Sequence, residues 1–283
     1  MTDTLSIHDH DRNAAGMTYV YPVISRRAGG VSVGINLNPN NACNWHCAYC
    51  QVPNLVRGVA PEIDLAQLRV ELHAMLAGIV SGDFMQRRVP EGCRTLCDVA
   101  ISGNGEPTSC RDFDAVVGII VDEMLAAGLG PEVKLRLITN GSYIHKPEVR
   151  AGLLRMAQHN GEVWIKVDSA TQEGIRRING IATDAAHLRR QVESVATLCP
   201  TWIQTCMLAW DGEPPADNEL QAYLEFMAGL KAGGVPVQGI LLYGLARESM
   251  QAEAVHVSPL SGDWLEEFAG RLRAAGWQVA VSL

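Results

Sequence analysis

The chain has 283 residues, of which 47% are hydrophobic and 19% charged, so it can bury a substantial core and is neither disordered nor fibrous. Its formal net charge is −8, and only four of its 23 basic residues are lysines. Because nucleic-acid binding depends on Lys and Arg contacts with phosphate, this balance disfavours a tRNA or DNA substrate without ruling one out.

The apolar runs, the first 18 residues and the cysteines indicate where in the cell the protein is expected. No apolar run approaches the roughly 18–20 residues that a membrane span needs. Residues 1–18 start with a polar stretch that contains His8 and His10 and lacks the apolar core of a signal peptide, so a flexible leader is predicted there. Residues 19–283 show neither a repeat nor a linker, which predicts one domain. Eight cysteines without an export signal indicate reduced thiols and a cytoplasmic protein.

Short apolar runs alternate with longer segments of helical periodicity. The apolar runs predict strands at 31–37, 97–102, 135–139, 162–167, 201–207 and 236–242. The periodic segments predict helices near 64–80, 111–127, 146–158, 184–197, 217–232 and 262–275. Asp64 followed by Gln67 is typical of a capping box at the start of the first helix. Six consecutive strand–helix units imply a parallel sheet with right-handed crossovers.

The two faces of the predicted strands differ in polarity. Val31, Val33 and Ile35 share one face, whereas Asp98 and Lys166 fall on the opposite, polar face of their strands. A doubly wound sheet is covered by helices on both sides and needs two apolar faces. The pattern therefore favours a partial, TIM-like (β/α)6 barrel of parallel strands, open on one side, around a polar cavity. Its active site is expected at the carboxyl ends of the strands.

Three cysteines follow the first predicted strand, in the segment Cys43-Asn-Trp-His-Cys47-Ala-Tyr-Cys50. Thiolates at this spacing can converge on an iron–sulfur cluster, and three ligands for a four-iron cube leave one iron open for chemistry. A structural zinc site is the alternative, but zinc takes four ligands, usually as two separated pairs. No second pair follows, and His46 lies between the second and third thiols.

This Cx3Cx2C segment, with Tyr49 just before the last cysteine, resembles the radical S-adenosylmethionine (radical SAM) superfamily. The resemblance implies that Cys43, Cys47 and Cys50 bind a [4Fe–4S] cluster whose open iron is chelated by the methionine end of S-adenosylmethionine. It also implies that Tyr49 packs near the adenine.

The resemblance also implies a function for two further loops. Ser102-Gly103-Asn104-Gly105-Glu106-Pro107-Thr108 is neither a dinucleotide fingerprint, since Thr108 replaces the third glycine, nor a P-loop, since it lacks the lysine. It resembles the superfamily's GGE-type segment, which receives the methionine ammonium; an ordinary turn is the alternative. Thr139 and Asn140 match a Thr-Asn-Gly segment that lies beside the ribose in the superfamily.

The fourth and fifth strands supply the remaining candidates. Asp168 and Ser169 are predicted near the ribose hydroxyls, and Lys166 near the S-adenosylmethionine carboxylate or the substrate. The alternative is a salt bridge across the barrel. Gln204 and Cys206 share a face, and a glutamine inside a barrel needs partners, either a ligand or neighbouring strands. Lys166, Gln204 and Cys206 are the predicted catalytic residues. Tyr243 and Arg247 can also reach a substrate, but nothing in the sequence ranks them above ordinary surface residues.

Several stretches resemble the wyosine-synthase-like branch of the superfamily, among them the one from Tyr21, the one at 175–179 and Val257-Ser-Pro. The first cysteine is Cys43, so the N-terminal cysteines that carry a second cluster in the tRNA-modifying members are missing. The resemblance therefore carries over architecture and cofactor site, not substrate. An auxiliary cluster at Cys93, Cys97 and Cys110 competes with the reading of Cys97 as a small buried hydrophobe.

The resemblance implies reductive cleavage of S-adenosylmethionine to a 5′-deoxyadenosyl radical, which abstracts hydrogen from a small-molecule or peptide substrate. A reductase, flavodoxin or ferredoxin is the implied electron donor. Three alternatives stay open. They are activation of a glycyl-radical enzyme by acting on a partner protein, tRNA base modification of the wyosine-synthase type, and a non-enzymatic metal or electron carrier.

Overall fold

A mostly parallel sheet of eight strands organises the chain in the computed structural model, which describes residues 4–6, 15–25 and 29–282. In spatial order its strands are β1 (Val20–Ser25), β2 (Gly30–Ile35), β5 (Leu96–Ile101), β6 (Lys134–Thr139), β7 (Gly161–Lys166), β8 (Thr201–Met207), β10 (Val237–Gly244) and β12 (Val279–Ser282). Strand β1 runs antiparallel to β2, and the other neighbouring pairs are parallel. Two small sheets pair β3 (Ala42–Cys43) with β4 (Val56–Arg57), and β9 (Ala209–Trp210) with β11 (Val257–Ser258).

Helices alternate with the strands along the described chain. They are α1 (Leu65–Val80), α2 (Phe84–Arg88), α3 (Phe113–Ala126), α4 (Pro147–Gln158), α5 (Gln172–Asn179), α6 (Ala185–Ala196), α7 (Asp217–Ala232) and α8 (Gly262–Ala274). Helix α1 begins as predicted, because the Asp64 carboxylate accepts a 2.9 Å hydrogen bond from the Gln67 amide. None of the described helices combines the length and the apolar character that crossing a membrane requires.

The sheet curls into an open half-barrel, which confirms the predicted architecture. Over the described part of the chain β1 and β12 are its two edges, so the barrel does not close. The outer face is the apolar one: Val31, Val33 and Ile35 have no exposed surface and pack in the main core. The inner face borders a cavity of about 290 Å³, which we call the lumen cavity. The residues of the strands that line it include Ser32, Asp98, Arg136, Lys166 and Gln204.

The structure adds elements that the periodicity did not predict. Strand β1 contains Pro22, a residue that weakens a strand pattern and is tolerated at a sheet edge. The buried carboxylate of Glu71 accepts the backbone amides of Thr18 and Tyr19 at 2.9 and 2.7 Å and so fixes the entry to this strand. Helix α5 has eight residues, too few for a clear helical period, and its signals are the Thr171 cap and the left-handed Gly180 that ends it.

The predicted leader is described only in part. Leu5 is buried, and its amide donates a 2.8 Å hydrogen bond to the carbonyl of Arg88. His8 and His10 lie outside the described residues. The division into a leader over 1–18 and one domain over 19–283 stays a prediction.

Candidate functional site

The three cysteines of the Cx3Cx2C segment lie on one loop at the mouth of the half-barrel, and all three line the lumen cavity. The loop pairs through its backbone with the end of α5. His46 donates to the carbonyl of Asn179 at 3.0 Å, and Ala48 donates to that of Ile178 at 2.8 Å. Gly180 allows this approach, because a side chain there would place its Cβ 2.5 Å from the carbonyl oxygen of His46.

A second segment holds the other end of the cysteine loop. The Ser249 hydroxyl donates to the carbonyl of Ala48 at 2.7 Å. The Gln251 side-chain amide donates to the carbonyls of Cys50 and Val52 at 3.1 and 2.8 Å. Because these carbonyls are satisfied by protein donors, the loop has a defined shape of its own.

The thiols lie in surroundings that disfavour their charged form. Burial, with a smaller contribution from nearby Glu106, raises the pKa of Cys43 to about 12. Burial also raises the pKa of Cys47, against the opposing effect of the Lys166 ammonium. Metal binding needs thiolates, so a positively charged group that binds here would release protons from these cysteines.

The donor set suits an iron–sulfur cluster. Among the residues that the structure describes, no three His, Cys, Asp or Glu side chains are close enough to hold a single metal ion. In a four-iron cube each thiolate binds a different iron, so three ligands need not meet at one point. In the candidate auxiliary set, Cys110 is fully buried, whereas Cys93 and Cys97 are half-buried and Cys93 packs against the main core. Cys97 is therefore not the fully buried hydrophobe that the strand pattern allowed.

The turn after β5 reaches the cysteine loop because two of its residues lack side chains. A Cβ on Gly105 would lie 1.9 Å from the carbonyl oxygen of Ala42, and one on Gly103 would lie 2.2 Å from the Asn36 side chain. Only glycine permits these contacts. The Asn36 side chain also accepts from the amide of Asn104 at 3.0 Å.

Only some of the residues predicted in this turn line the lumen cavity. They are Ser102, Gly103, Asn104, Gly105 and Glu106. Pro107 instead starts a buried turn of 3₁₀ helix (Pro107–Ser109).

Glu106 links this turn to the loop after β6. Its carboxylate accepts from the Thr139 hydroxyl at 2.6 Å, the Asn140 amide at 2.7 Å and the Thr108 amide at 3.0 Å. Burial raises the pKa of Glu106 above its ordinary value, although these hydrogen bonds lower it. The structure thus brings Glu106, Thr139 and Asn140 together, and all three line the lumen cavity, while the contacts predicted for them with S-adenosylmethionine stay a prediction.

Lys166 and Asp168 meet through the hydroxyl of Tyr49 rather than in a direct ion pair. The Lys166 ammonium donates to the phenol oxygens of Tyr49 and Tyr243 at 2.9 and 3.2 Å. The Tyr49 hydroxyl in turn donates to the Asp168 carboxylate. Burial by itself would lower the pKa of Lys166, but its neighbours Tyr243 and Asp168 raise it above the ordinary value, so the ammonium stays charged.

Asp168 is not among the residues that line the lumen cavity. Its carboxylate also accepts from the Asn179 side chain at 2.7 Å and from the amide of Cys206 at 2.8 Å. Asp168 and Ser169 border a second cavity of about 350 Å³, lined further by Arg177, Trp210 and Glu219. The ribose contacts predicted for Asp168 and Ser169 stay a prediction.

Gln204 and Cys206 occupy the wall of the lumen cavity, as the alternation along the strand predicted. Gln204 is 1% exposed, and neither its side-chain oxygen nor its side-chain nitrogen has a hydrogen-bond partner among the described residues. Cys206 is 2% exposed and touches both cavities. Burial raises the pKa of its thiol well above the ordinary value.

An ionic cluster deeper in the half-barrel was not predicted. Arg136 on β6 donates to Asp98 and, at 2.7 Å, to Glu162. The Ser32 hydroxyl also donates to Asp98, and Arg136 lies over the ring of Trp164, 4.7 Å from its centre. The sequence held one signal, since Arg136 interrupts an apolar strand, but its register with Ala100 and Glu162 is known only from the structure.

Comparisons with solved structures relate the fold to known proteins. A radical SAM methyltransferase from Sphaerobacter thermophilus aligns with a TM-score of 0.54 and 17% identity, over 89% of this chain and 66% of that one. The structure of hexahistidine-tagged anSMEcpe with bound AdoMet aligns with a TM-score of 0.52 and 14% identity, over 88% of this chain and 62% of that one. At these identities the likeness establishes a shared half-barrel fold.

Sequence comparison adds little. No protein-family model matches the chain. The chain is 27% identical over 136 residues to GTPase Obg of Brachyspira hyodysenteriae, a match that covers 47% of this chain and 17% of that protein. The chain spans less than two thirds of each of these three proteins.

Proposed function

We propose that the protein is a radical SAM enzyme of the wyosine-synthase-like branch, acting on a small-molecule or peptide substrate in a reducing, cytoplasmic environment. One observation carries the proposal: three thiols on one loop face the same cavity as the Gly103–Glu106 turn and Asn140, at the carboxyl ends of parallel strands. A radical SAM methyltransferase and the AdoMet-bound protein anSMEcpe share the fold.

Cys43, Cys47 and Cys50 would hold the [4Fe–4S] cluster. When reduced and bound to S-adenosylmethionine, the cluster supplies one electron that releases methionine and a 5′-deoxyadenosyl radical. The chain's own part is to bind, orient and shield. The loop is already shaped by hydrogen bonds to α5 and to Ser249 and Gln251, so little reordering opposes cofactor binding.

The polar groups of the turn and of β7 would bind S-adenosylmethionine. The buried Glu106 carboxylate and the carbonyls of the glycine turn are acceptors for an ammonium group, and the two glycines let this turn pack closely against Ala42 and Asn36. Lys166 is a buried cation, suited to balance a carboxylate, and the Tyr49 ring gives an aromatic surface for the adenine.

The half-barrel would then present the substrate beneath the cofactor. Gln204, Cys206 and Tyr243 line the lumen cavity on that side. An enclosed site excludes water and stray hydrogen donors from a reactive radical. The electron would come from a reductase, flavodoxin or ferredoxin.

The first test is anaerobic incubation of the cluster-reconstituted protein with dithionite and S-adenosylmethionine, with 5′-deoxyadenosine measured by mass spectrometry. We expect the product from the native protein and none from Cys43→Ala, Cys47→Ala or Cys50→Ala. Cys199→Ala is the control, because it also removes a free thiol, but Cys199 packs in the hydrophobic core and does not line the lumen cavity.

Two results would contradict the proposal. The first is product formation that survives loss of any of the three cysteines. The second is a fully loaded cluster that binds S-adenosylmethionine and leaves it intact under reduction, which would favour an electron carrier.

A further inference from the structure

The side chain of Gln204 is a buried polar group on the wall of the lumen cavity. It sits on β8, in register with Lys166 on one side and Leu241 on the other. Leu241 offers no polar side-chain atom, and the Lys166 ammonium donates to Tyr49 and Tyr243. Gln204 therefore lines the lumen cavity as a 1% exposed residue whose side-chain oxygen and nitrogen are both buried and unpaired among the described residues.

Such an arrangement points to a ligand. The large majority of buried side-chain polar atoms in folded proteins have a hydrogen-bond partner, and each exception calls for an explanation. A carboxamide has an acceptor beside a donor. Both are satisfied at once by a group that itself presents a donor beside an acceptor, as an amide or lactam does. A carboxylate would set oxygen against oxygen, and an ammonium would leave the Gln204 N–H groups unpaired.

The charge of the deeper ionic cluster is compensated within the protein. Arg136 is paired with the carboxylates of Asp98 and Glu162, so this cation is not left to select an anion at Gln204. Trp164 and Ile138, which line the same cavity, give apolar surface for the rest of the molecule.

We propose that Gln204 selects a substrate with a neutral amide or lactam edge, held by two hydrogen bonds inside the half-barrel. The assignment rests on the proposed function for the chemistry that follows, but the binding itself does not depend on radical formation. Gln204 would be a specificity-determining residue that touches the substrate.

The experiment compares two ring-shaped probes of nearly equal size on the reconstituted protein with S-adenosylmethionine bound. 2-Pyrrolidinone presents an N–H beside a carbonyl, whereas cyclopentanone presents the carbonyl alone. Dissociation constants would be measured by saturation-transfer NMR titration. We expect pyrrolidinone to bind at least tenfold more tightly than cyclopentanone, and the preference to vanish in Gln204→Leu and in Gln204→Met.

Gln221→Leu is the matched control. Gln221 is exposed on α7 and paired with Glu225, so this variant is expected to keep the preference. Having two apolar variants at 204, each checked for folding by circular dichroism, separates loss of the amide from loss of the fold.

Several results would overturn the proposal. They are equal affinity for both probes, a preference that survives in both Gln204 variants, or no measurable binding of pyrrolidinone to the native protein. Failure of the proposed function looks different: S-adenosylmethionine would stay intact under reduction while the Gln204-dependent preference for the lactam persists.

Discussion

The ammonium of Lys166 lies 2.9 Å from the phenol oxygen of Tyr49 and donates a hydrogen bond to it. This contact ties the aromatic residue of the cysteine segment to the end of β7. The Tyr49 hydroxyl donates its own hydrogen bond to Asp168. Burial raises the pKa of Tyr49 well above its ordinary value, so the hydroxyl remains a donor. The cysteine loop is thereby anchored by a buried polar chain.

Removing the hydroxyl of Tyr49 should destabilise the fold but keep the aromatic ring. We expect Tyr49→Phe to lower the free energy of unfolding of the metal-free protein by about 1–3 kcal/mol, since two buried hydrogen bonds are lost. The ring that would face the adenine is kept, so binding of S-adenosylmethionine to the reconstituted protein should fall much less than stability does.

Urea unfolding and equilibrium dialysis give the two quantities. Tyr143→Phe is the control, because its partly exposed hydroxyl can bond to water and its ring keeps the contact with Lys146. A Tyr49→Phe protein as stable as the native one would mean that the hydrogen-bonded chain contributes nothing to holding the loop.

The sequence predicted the half-barrel well because its signals are local. Each of the six inner strands is an apolar run followed by a periodic helix, and alternation along β5 and β7 placed Asp98 and Lys166 on the inner face. The cysteine spacing and the glycine turn are likewise contiguous, and the structure brings them together at one mouth.

What the sequence did not reveal depends on contacts between distant segments. Asn179 becomes a partner of Asp168 only because the unpredicted α5 packs against the cysteine loop. Ser249 and Gln251 reach that loop from about two hundred residues away. Arg136 acquires its carboxylates from the strands on either side of β6. No periodicity reports such pairings.

Breaking the ionic cluster of Arg136, Asp98 and Glu162 should lower the free energy of unfolding strongly. Arg136→Met leaves Asp98 and Glu162 buried without their counter-charge, and loss of one member of a buried ion pair destabilises by about 3–5 kcal/mol. Arg155→Met is the matched control. Arg155 pairs with Asp114 on the surface, with 45% of its side chain exposed, so about 1 kcal/mol or less is expected.

The loss in Arg136→Met should also depend on pH. Burial raises the pKa of Asp98 even with Arg136 present, and without the guanidinium the folded-state value rises further. The folded variant then holds a proton that the unfolded chain has released, so its stability falls as pH rises from the unfolded pKa through the folded one. Urea unfolding at pH 5 and pH 8 should show a larger deficit at pH 8. A deficit that is equal at both values would mean that Asp98 does not take up the proton.

The glycine turn gives a steric prediction. Gly105→Ala puts a methyl group against the backbone oxygen of Ala42, so the turn or the cysteine loop must move. We expect a loss of about 1–3 kcal/mol in the free energy of unfolding. Equilibrium dialysis should show S-adenosylmethionine binding at least tenfold more weakly to the reconstituted variant.

Gly270→Ala is the control, because the added methyl group meets no neighbouring atom there. Gly270 is exposed in α8 with open space where a Cβ would lie, so alanine should stabilise the helix by about 0.5–1 kcal/mol and leave binding unchanged. If Gly105→Ala binds S-adenosylmethionine like the native protein, the close approach of the two loops is not needed for the cofactor site.

Gln204 and its neighbour Thr205 should respond in opposite directions when made apolar. The Thr205 hydroxyl donates to the carbonyl of Val167 at 2.9 Å and lies 2.6 Å from the hydroxyl of Tyr223, so Thr205→Val should cost about 1–2 kcal/mol of unfolding free energy. Gln204→Leu removes a buried amide that has no partner among the described residues and should raise the unfolding free energy by about 1 kcal/mol. Urea unfolding of the ligand-free protein measures both free energies.

The native Gln204 is expected to lower stability if its side chain serves binding rather than folding. Similar losses in both variants would show that the Gln204 amide is satisfied without a ligand, and would remove the reason for assigning it to a substrate.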